Sequence, residues 1–286
     1  LERMILIADS GSTKTDWAVV GAQERAFVSV STQGINPLLF TDKQIDSVLS
    51  QELYPQLLKA GVEIEEVSDV YFYGAGCTVA QSPRVVARLS FLFSSAKIEA
   101  ESDLLGAAHA VLGHNKGVAC ILGTGANSCL FDGQNIIAHT PPLGYVLGDE
   151  GSGAVLGRNF LNGILKGWLP TYLRDGFFSE SGQSYDDIID HVYRQPLANR
   201  YLASIAPFIL RHIAEPALKS LVAENFEAFF RLNVLCYSHP LGPIACVGGI
   251  AWHFRDILAE VVKGHGLHLA RVMKSPIEGL VEYYKM

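Results

Sequence analysis

The sequence predicts an α/β protein built from two similar domains, and three observations carry the prediction. Along the first hundred residues, short apolar runs of strand character alternate with longer stretches of helical periodicity. A pattern of strand, glycine turn, strand, second turn, strand occurs at the start and again at residues 117–140. With 286 residues, 49% of them apolar, the chain can bury a large core in one large or two moderate domains.

In chain order, strands are expected at residues 4–9, 15–20 and 26–31, a helix at about 41–60, a strand at 70–74 and a helix at about 82–94. A strand at 97–100 and a helix at 104–112 follow. Leu1, Glu2 and Arg3 precede Met4, which opens the first strand. The stretch "ADSGSTKTDW", Ala8 to Trp17, mixes Gly, Ser, Thr and Lys as a phosphate loop does. It is not a P-loop: Thr13 rather than Gly precedes Lys14, and a β-rich run rather than a helix follows. The turn therefore belongs to a hairpin, which can still offer N–H groups and hydroxyls to an anion.

"GVACILGTGANSCLFDGQNIIAHT", Gly117 to Thr140, repeats that opening. Gly11 aligns with Gly125, and Gly21 or Gly133 supplies the second turn. A duplicated hairpin turn implies two like domains, each giving one turn to a shared cleft. The boundary falls near 113–117, so the expected domains are 4–113, joined by a C-terminal helix at 275–286, and 114–274. After Gly153 the chain reads as mainly helical to about Tyr237. A strand, Gly-Gly turn and helix at 243–254, a strand at 267–272 and a helix from Pro276 complete it.

Composition narrows the partners. Twenty-two basic against 29 acidic residues give a net charge of −7, which disfavours nucleic acid and anionic membrane surfaces and favours a small molecule. No apolar run reaches the roughly 18 residues of a membrane span, and no secretory leader is evident, so a cytoplasmic location is expected. Cys77, Cys120, Cys129, Cys236 and Cys246 show no Cys-x-x-Cys spacing and lie mostly in apolar runs, as buried thiols do.

"DSGSTKTDW", "GINP", "SDLLGAAHAV", "LGTGANS", "LGDEGSG", "IAPF" and "VGGIAW" occur in that order from near Met4 to the C-terminal part. Together they resemble the sugar kinase, heat-shock-protein-70 and actin superfamily. Within it the chain is similar to the N-acetylglucosamine kinases and the related ATPase activators of benzoyl-CoA reductase and hydroxyacyl-CoA dehydratases. The resemblance implies two ribonuclease-H-like (actin-like ATPase) domains with nucleotide held between them, ATP and Mg²⁺ as cofactors, an amino sugar as acceptor and a homodimer as the assembly. "PPLGYVLG", before Asp149, departs from the tryptophan-containing loop of many such kinases. N-acetylglucosamine, glucosamine and N-acetylmuramic acid therefore all stay open as substrates. An iron-sulfur activator and a sugar-responsive regulator are the alternatives to a kinase.

Phosphoryl transfer needs positioning and charge neutralisation, so each part of such a site has a candidate. Asp9 ends the first strand, where its carboxylate either holds Mg²⁺ through water or caps the turn. Gly11, Ser12 and Thr13 form the first phosphate turn and Gly123, Thr124 and Gly125 the second, with Thr13 and Thr124 favoured by family analogy. Lys14 faces either phosphate or solvent. Gly248 and Gly249 fit a turn on the adenosine side. The family's base, which takes the proton of the acceptor hydroxyl, corresponds to Asp103; the residue's structural alternative is an N-cap or a first-turn acid, and Glu101 is the less favoured base. Asn36, Gly144, Asp149 and Glu150 are the expected sugar-binding positions, Asp149 and Glu150 serving equally as acids at a helix N-terminus.

Overall fold

The structure is a computed structural model describing residues 4–11, 13–21, 28–237 and 240–285. Its strands are β1 (Met4–Ser10), β2 (Lys14–Gly21), β3 (Val28–Gln33), β4 (Val67–Gly74), β5 (Lys97–Ser102), β6 (Gly117–Leu122), β7 (Ala126–Phe131), β8 (Ile136–His139), β9 (Ile244–Val247) and β10 (Leu269–Met273). The helices are α1 (Asp42–Ser47), α2 (Tyr54–Lys59), α3 (Ser82–Leu92), α4 (Asp103–Leu112), α5 (Gly144–Leu147), α6 (Gly153–Lys166) and α7 (Thr171–Ser181). Then come α8 (Tyr185–Tyr193), α9 (Ala198–Ala203), α10 (Ala206–Arg211), α11 (Pro216–Phe229), α12 (Gly249–His253), α13 (Arg255–Gly264) and α14 (Ile277–Lys285).

The chain divides into two compact units, one of residues up to 114 with those from 276 on, the other of residues 115–275. Unit 1 holds a five-stranded sheet in the order β3-β2-β1-β4-β5; unit 2 holds one in the order β10-β9-β6-β7-β8. Read from the other edge, the second order is the first again, strand for strand. In each, the opening three strands are antiparallel and the last two join in parallel. Two mixed sheets with interleaved helices are the pair of actin-like domains that the sequence led us to expect.

The third strand is shifted from its expected place to Val28–Gln33, and Ala26 and Phe27 lie outside the described residues. The expected helix at 41–60 is one helical run, α1 and α2 joined by a π segment at Val48–Leu53. It starts where it does because Thr41 and Gln44 make a reciprocal capping box.

Alternation along the strands sets the two faces of the unit 1 sheet. Leu6, Ala8, Trp17, Val19, Val70 and Phe72 point to one face, where they pack with Ile45, Leu49, Val85 and Leu89. Trp17 is fully buried there, and its Nε1 donates to Thr32 Oγ1 at 3.0 Å. The other face meets α4 and α14. In unit 2, Val118, Cys120 and Leu122 of β6 and Ile244 and Cys246 of β9 pack against an aromatic layer of Phe160, Phe226, Phe229 and Phe230.

Candidate active site

In unit 1, strand register brings acidic residues into one row. Asp9 stands opposite Asp16 on β2 and Tyr73 on β4, and Tyr73 stands opposite Glu101 on β5. Register partners share a face, so Asp16, Asp9, Tyr73 and Glu101 all point to the side covered by α4. Asp103 opens that helix. It is not the N-cap that the sequence allowed: Ser102 has extended backbone and its side chain accepts from Leu105 N at 3.2 Å, so the capping bond belongs to Ser102.

The electrostatics follow from that row. Burial, then the charges of Asp103 and Asp16, push the Asp9 carboxyl up to about 7, against a smaller opposing pull from Lys14. Burial also raises Asp103, partly offset by the backbone N–H groups of Leu104 and Asp103 itself. Two carboxyls so short of positive charge suit a cation shared with bound phosphate. Among the described residues no three His, Cys, Asp or Glu side chains converge as a metal cage.

Backbone bonds close the described part of the first turn from beneath. Gly11 N donates to Lys14 O at 2.9 Å and Gly34 N to Thr13 O at 3.1 Å, so the described turn bonds do not involve the Asp9 carboxylate. Ser10 and Thr15, both fully buried, fasten it to the following segment: Ile35 N donates to Ser10 Oγ at 2.9 Å, and Ser10 Oγ donates to Ile35 O at 3.0 Å. Thr13 is exposed. Lys14 turns onto Asp16, its Nζ 2.8 Å from Asp16 Oδ2. Ser12 lies outside the described residues. Asn36 accepts from Leu38 N at 3.0 Å through Oδ1, an Asx turn that fixes its carboxamide.

In unit 2, strand positions put Gly123, not Gly125, in the place of Gly11: each is the first residue after its strand, β6 or β1. The alignment read from the sequence was two residues out; the second hairpin is also one residue tighter, with Leu122 opposite Ala126 and Ser10 opposite Thr15. The turn is tied to the start of α6, where Gly153 N donates to Gly123 O at 2.8 Å and Ala154 N to Thr124 O at 3.1 Å. Ser152 is the N-cap of α6, so Asp149 and Glu150 precede the helix and are not its first-turn acids. Asp149 instead sits in the left-handed region at φ 57°, sparsely used by non-glycine residues. The Ala126 N–H donates to its carboxylate, lowering a pKa that burial and Glu150 raise more. Asn233 Nδ2 donates to Glu150 Oε2 at 3.3 Å, and Gly144 begins the short helix α5 with φ 71°.

Gly248 carries φ 122° and lies so close to β6 that a Cβ would stand 2.3 Å from Leu122 O. Gly249 opens α12 with free space in front of it. Beside them is a pocket of about 410 Å³ lined by Gly123, Thr124, Ala206, Pro207, Gly249 and Ile250, among others. The size and largely apolar walls are those of a small-molecule site. Two of its walls come from "IAPF" and "VGGIAW", motifs far apart in sequence.

A protein from Porphyromonas gingivalis named a "putative N-acetylglucosamine kinase" has a solved structure that superposes on this one with a TM-score of 0.93, at 46% identity over 99% of each chain. The chain belongs to the N-acetylglucosamine kinase family, in the actin-like ATPase superfamily. A protein of the same name from Chromobacterium violaceum shares the fold, with a TM-score of 0.71 at 17% identity over 98% of each chain. A curated "N-acetylmuramic acid/N-acetylglucosamine kinase" of Clostridium acetobutylicum is 22% identical over 209 residues, 71% of this chain and 68% of that one. No protein-family profile matches.

For a member of this kinase family, the structure gathers the candidates in two sets: Asp9, Gly11, Thr13, Lys14, Asn36 and Asp103 in unit 1, and Gly123, Thr124, Gly125, Gly144, Asp149, Glu150, Gly248 and Gly249 in unit 2. Sequence reasoning missed the residues that hold them. Asn225 of α11, almost fully buried, accepts from Gly151 N at 3.1 Å and donates from Nδ2 to Ser152 O at 3.2 Å, bracing "DEGSG" from a helix some 70 positions on. Nothing in its local sequence marks it. Ser10 and Thr15 were visible as polar positions flanking a turn in otherwise apolar strands. Cys120 and Cys129 do not share a sheet face: Cys120 pairs with Ser128 and Cys129 with Ala119, so they are no ligand pair for a cluster. No helix among the described residues is long and apolar enough to cross a membrane.

Proposed function

We propose that the protein transfers the γ-phosphoryl group of Mg·ATP to an amino sugar, with the 6-hydroxyl of N-acetylglucosamine as the acceptor. The observation that carries this reading is the position of Asp103. Ser102 makes the capping bond of α4, so Asp103 is not held as the N-cap; it stands in the first turn of the helix that covers the Asp9 face of the sheet. A half-buried carboxylate whose charge acts on a second one has the makings of a base paired with a cation site. In this reading Asp103 accepts the proton of the sugar hydroxyl, and Asp9 orients the Mg²⁺ hydration shell. Mg²⁺, when bound, supplies charge neutralisation on the phosphate oxygens.

Thr13 and Thr124, with the N–H groups of their turns, grip the phosphates. Gly11, Ser12, Lys14, Gly123 and Gly125 complete those turns, and Gly248 and Gly249 border the adenosine in the 410 Å³ pocket. Asn36, Gly144, Asp149 and Glu150 read the sugar. The names of the relatives from Porphyromonas gingivalis and Clostridium acetobutylicum support N-acetylglucosamine first and N-acetylmuramic acid next. The reading also includes a cytoplasmic homodimer of two-domain subunits, split near residues 113 and 275, with no nucleic-acid partner.

The test is ADP release from Mg·ATP across N-acetylated and free amino sugars, N-acetylmuramic acid and plain hexoses, with Asp103→Asn alongside. One amino sugar should dominate, and Asp103→Asn should lose about 10²–10⁴-fold in turnover while still binding ATP. Equal loss of ATP binding and turnover would make Asp103 a structural residue. Slow ATP hydrolysis indifferent to sugar would move the reading to an activator or regulator, with iron analysis next.

A further inference from the structure

Arg84 has no part in the chemistry above, yet each of its three guanidinium nitrogens donates to the segment that follows Asn36. Its Nη1 donates to Pro37 O at 2.6 Å and its Nη2 to Phe40 O at 2.6 Å. Its Nε donates to Asp42 Oδ1, the first residue of α1. A planar guanidinium holds three acceptors in fixed directions as no other side chain can. Arg84 sits in the first turn of α3, and the chain just before α3 touches the same loop from another side. Gly76, at φ 78°, leaves the space in which a Cβ would stand 2.2 Å from Asn36 Oδ1. The connection between β4 and α3 is thus a seat for residues 36–42. It holds the backbone through Arg84 and, by having no side chain at Gly76, leaves room for the Asn36 carboxamide.

The seat also fixes which end of Asn36 is offered. Leu38 N donates to Oδ1, and Gly76 lies against that oxygen, so the Nδ2 end is presented. We infer that Arg84 and Gly76 are positioning residues for sugar recognition, which hold Asn36 as a hydrogen-bond donor to an oxygen of the substrate. The inference rests on the proposed contact between Asn36 and the sugar. It makes recognition of the sugar, and not of ATP, depend on a salt bridge and two carbonyl bonds that never touch substrate.

The experiment measures the KM of N-acetylglucosamine, the KM of ATP, kcat, calorimetric sugar binding and melting temperature for five variants: Asn36→Ala, Arg84→Gln, Arg84→Lys, the double variant of Asn36→Ala with Arg84→Gln, and Gly76→Ala. Arg84→Gln and Gly76→Ala should each raise the sugar KM about ten-fold or more, with the ATP KM and kcat within about two-fold of wild type. In the Asn36→Ala background, Arg84→Gln should add nothing further to the sugar KM. Arg84→Lys should recover only part of the loss, because an ammonium cannot span the three acceptors. Additive effects in the double variant, or equal rises in both KM values, would overturn the inference and leave Arg84 a general fold residue. Should Arg84→Gln not fold, Gly76→Ala decides alone, an unchanged sugar KM sinking the inference. An Asn36→Ala enzyme with unchanged sugar KM and sugar binding would instead overturn the role proposed for Asn36, which the additivity result leaves untouched.

Discussion

Ser10 Oγ and Thr15 Oγ1 lie 2.7 Å apart, both fully buried, one ending β1 and the other near the start of β2. The pair spans the base of the first glycine turn. Thr15 Oγ1 also donates to Gln33 O at 3.2 Å and accepts from Ile35 N at 3.3 Å, so two hydroxyls join the turn to the loop that begins the Asn36 segment. One small cluster fixes two parts of the proposed site at once.

Thr15→Val keeps the shape of the side chain and removes the hydroxyl, leaving Gln33 O without that donor and a methyl against the buried Ser10 Oγ. A stability loss of about 1–3 kcal/mol is expected. Urea unfolding reads it directly, and a loss under a few tenths of a kcal/mol would show the cluster to be slack. Because the turn is also loosened, the ATP KM should rise with it.

Gly248→Ala tests the second turn. The new Cβ would meet Leu122 O and Gly123 N, both backbone atoms, at a φ that L side chains rarely adopt. Neither neighbour can swing away as a side chain would. The expected cost is on the order of 3 kcal/mol, together with weaker ATP binding, since Gly123 and Gly249 line the same pocket. Wild-type ATP affinity in this variant would detach the pocket from the nucleotide.

The fold should weaken in mild acid through His109. Buried between Tyr73, whose hydroxyl lies 2.9 Å from Nδ1, and the stacked ring of Tyr283, this histidine is pulled down to about 4 by burial first and by His114 second. Native His109 is therefore neutral, while in the unfolded chain it protonates below about 6.5. Its contribution is complete above pH 6.5, falls as pH drops towards 4, and levels off below that, a total of roughly 3 kcal/mol. Melting temperature against pH, compared with His109→Gln, measures it. Parallel curves for the two proteins over pH 4–6.5 would remove His109 as the cause.

Much of this architecture was legible from periodicity and turns. The "LGTGANS" copy of the opening hairpin identified a duplicated sheet, and both sheets have the same strand order. The errors were local and had local causes. Gly-rich turns contain several glycines that look alike in sequence, and the match fell on Gly125 where strand position gives Gly123. Asp103 and the preceding Ser102 are both good N-caps by residue type, and only backbone geometry assigns the bond to Ser102.

By itself, then, the sequence determined which residues can do chemistry, because acid, hydroxyl and glycine content at turns is written in the chain. It also determined the sheets, because strand and helix periods differ. The tertiary structure decided what supports that chemistry. The row of Asp16, Asp9, Tyr73 and Glu101 depends on strand register. The Asn225 brace and the Arg84 clamp depend on helices brought from 70 and 40 positions away. Such contacts leave no local signature, since a buried asparagine and a loop-binding arginine satisfy backbone groups whose need for partners arises only once the chain has folded.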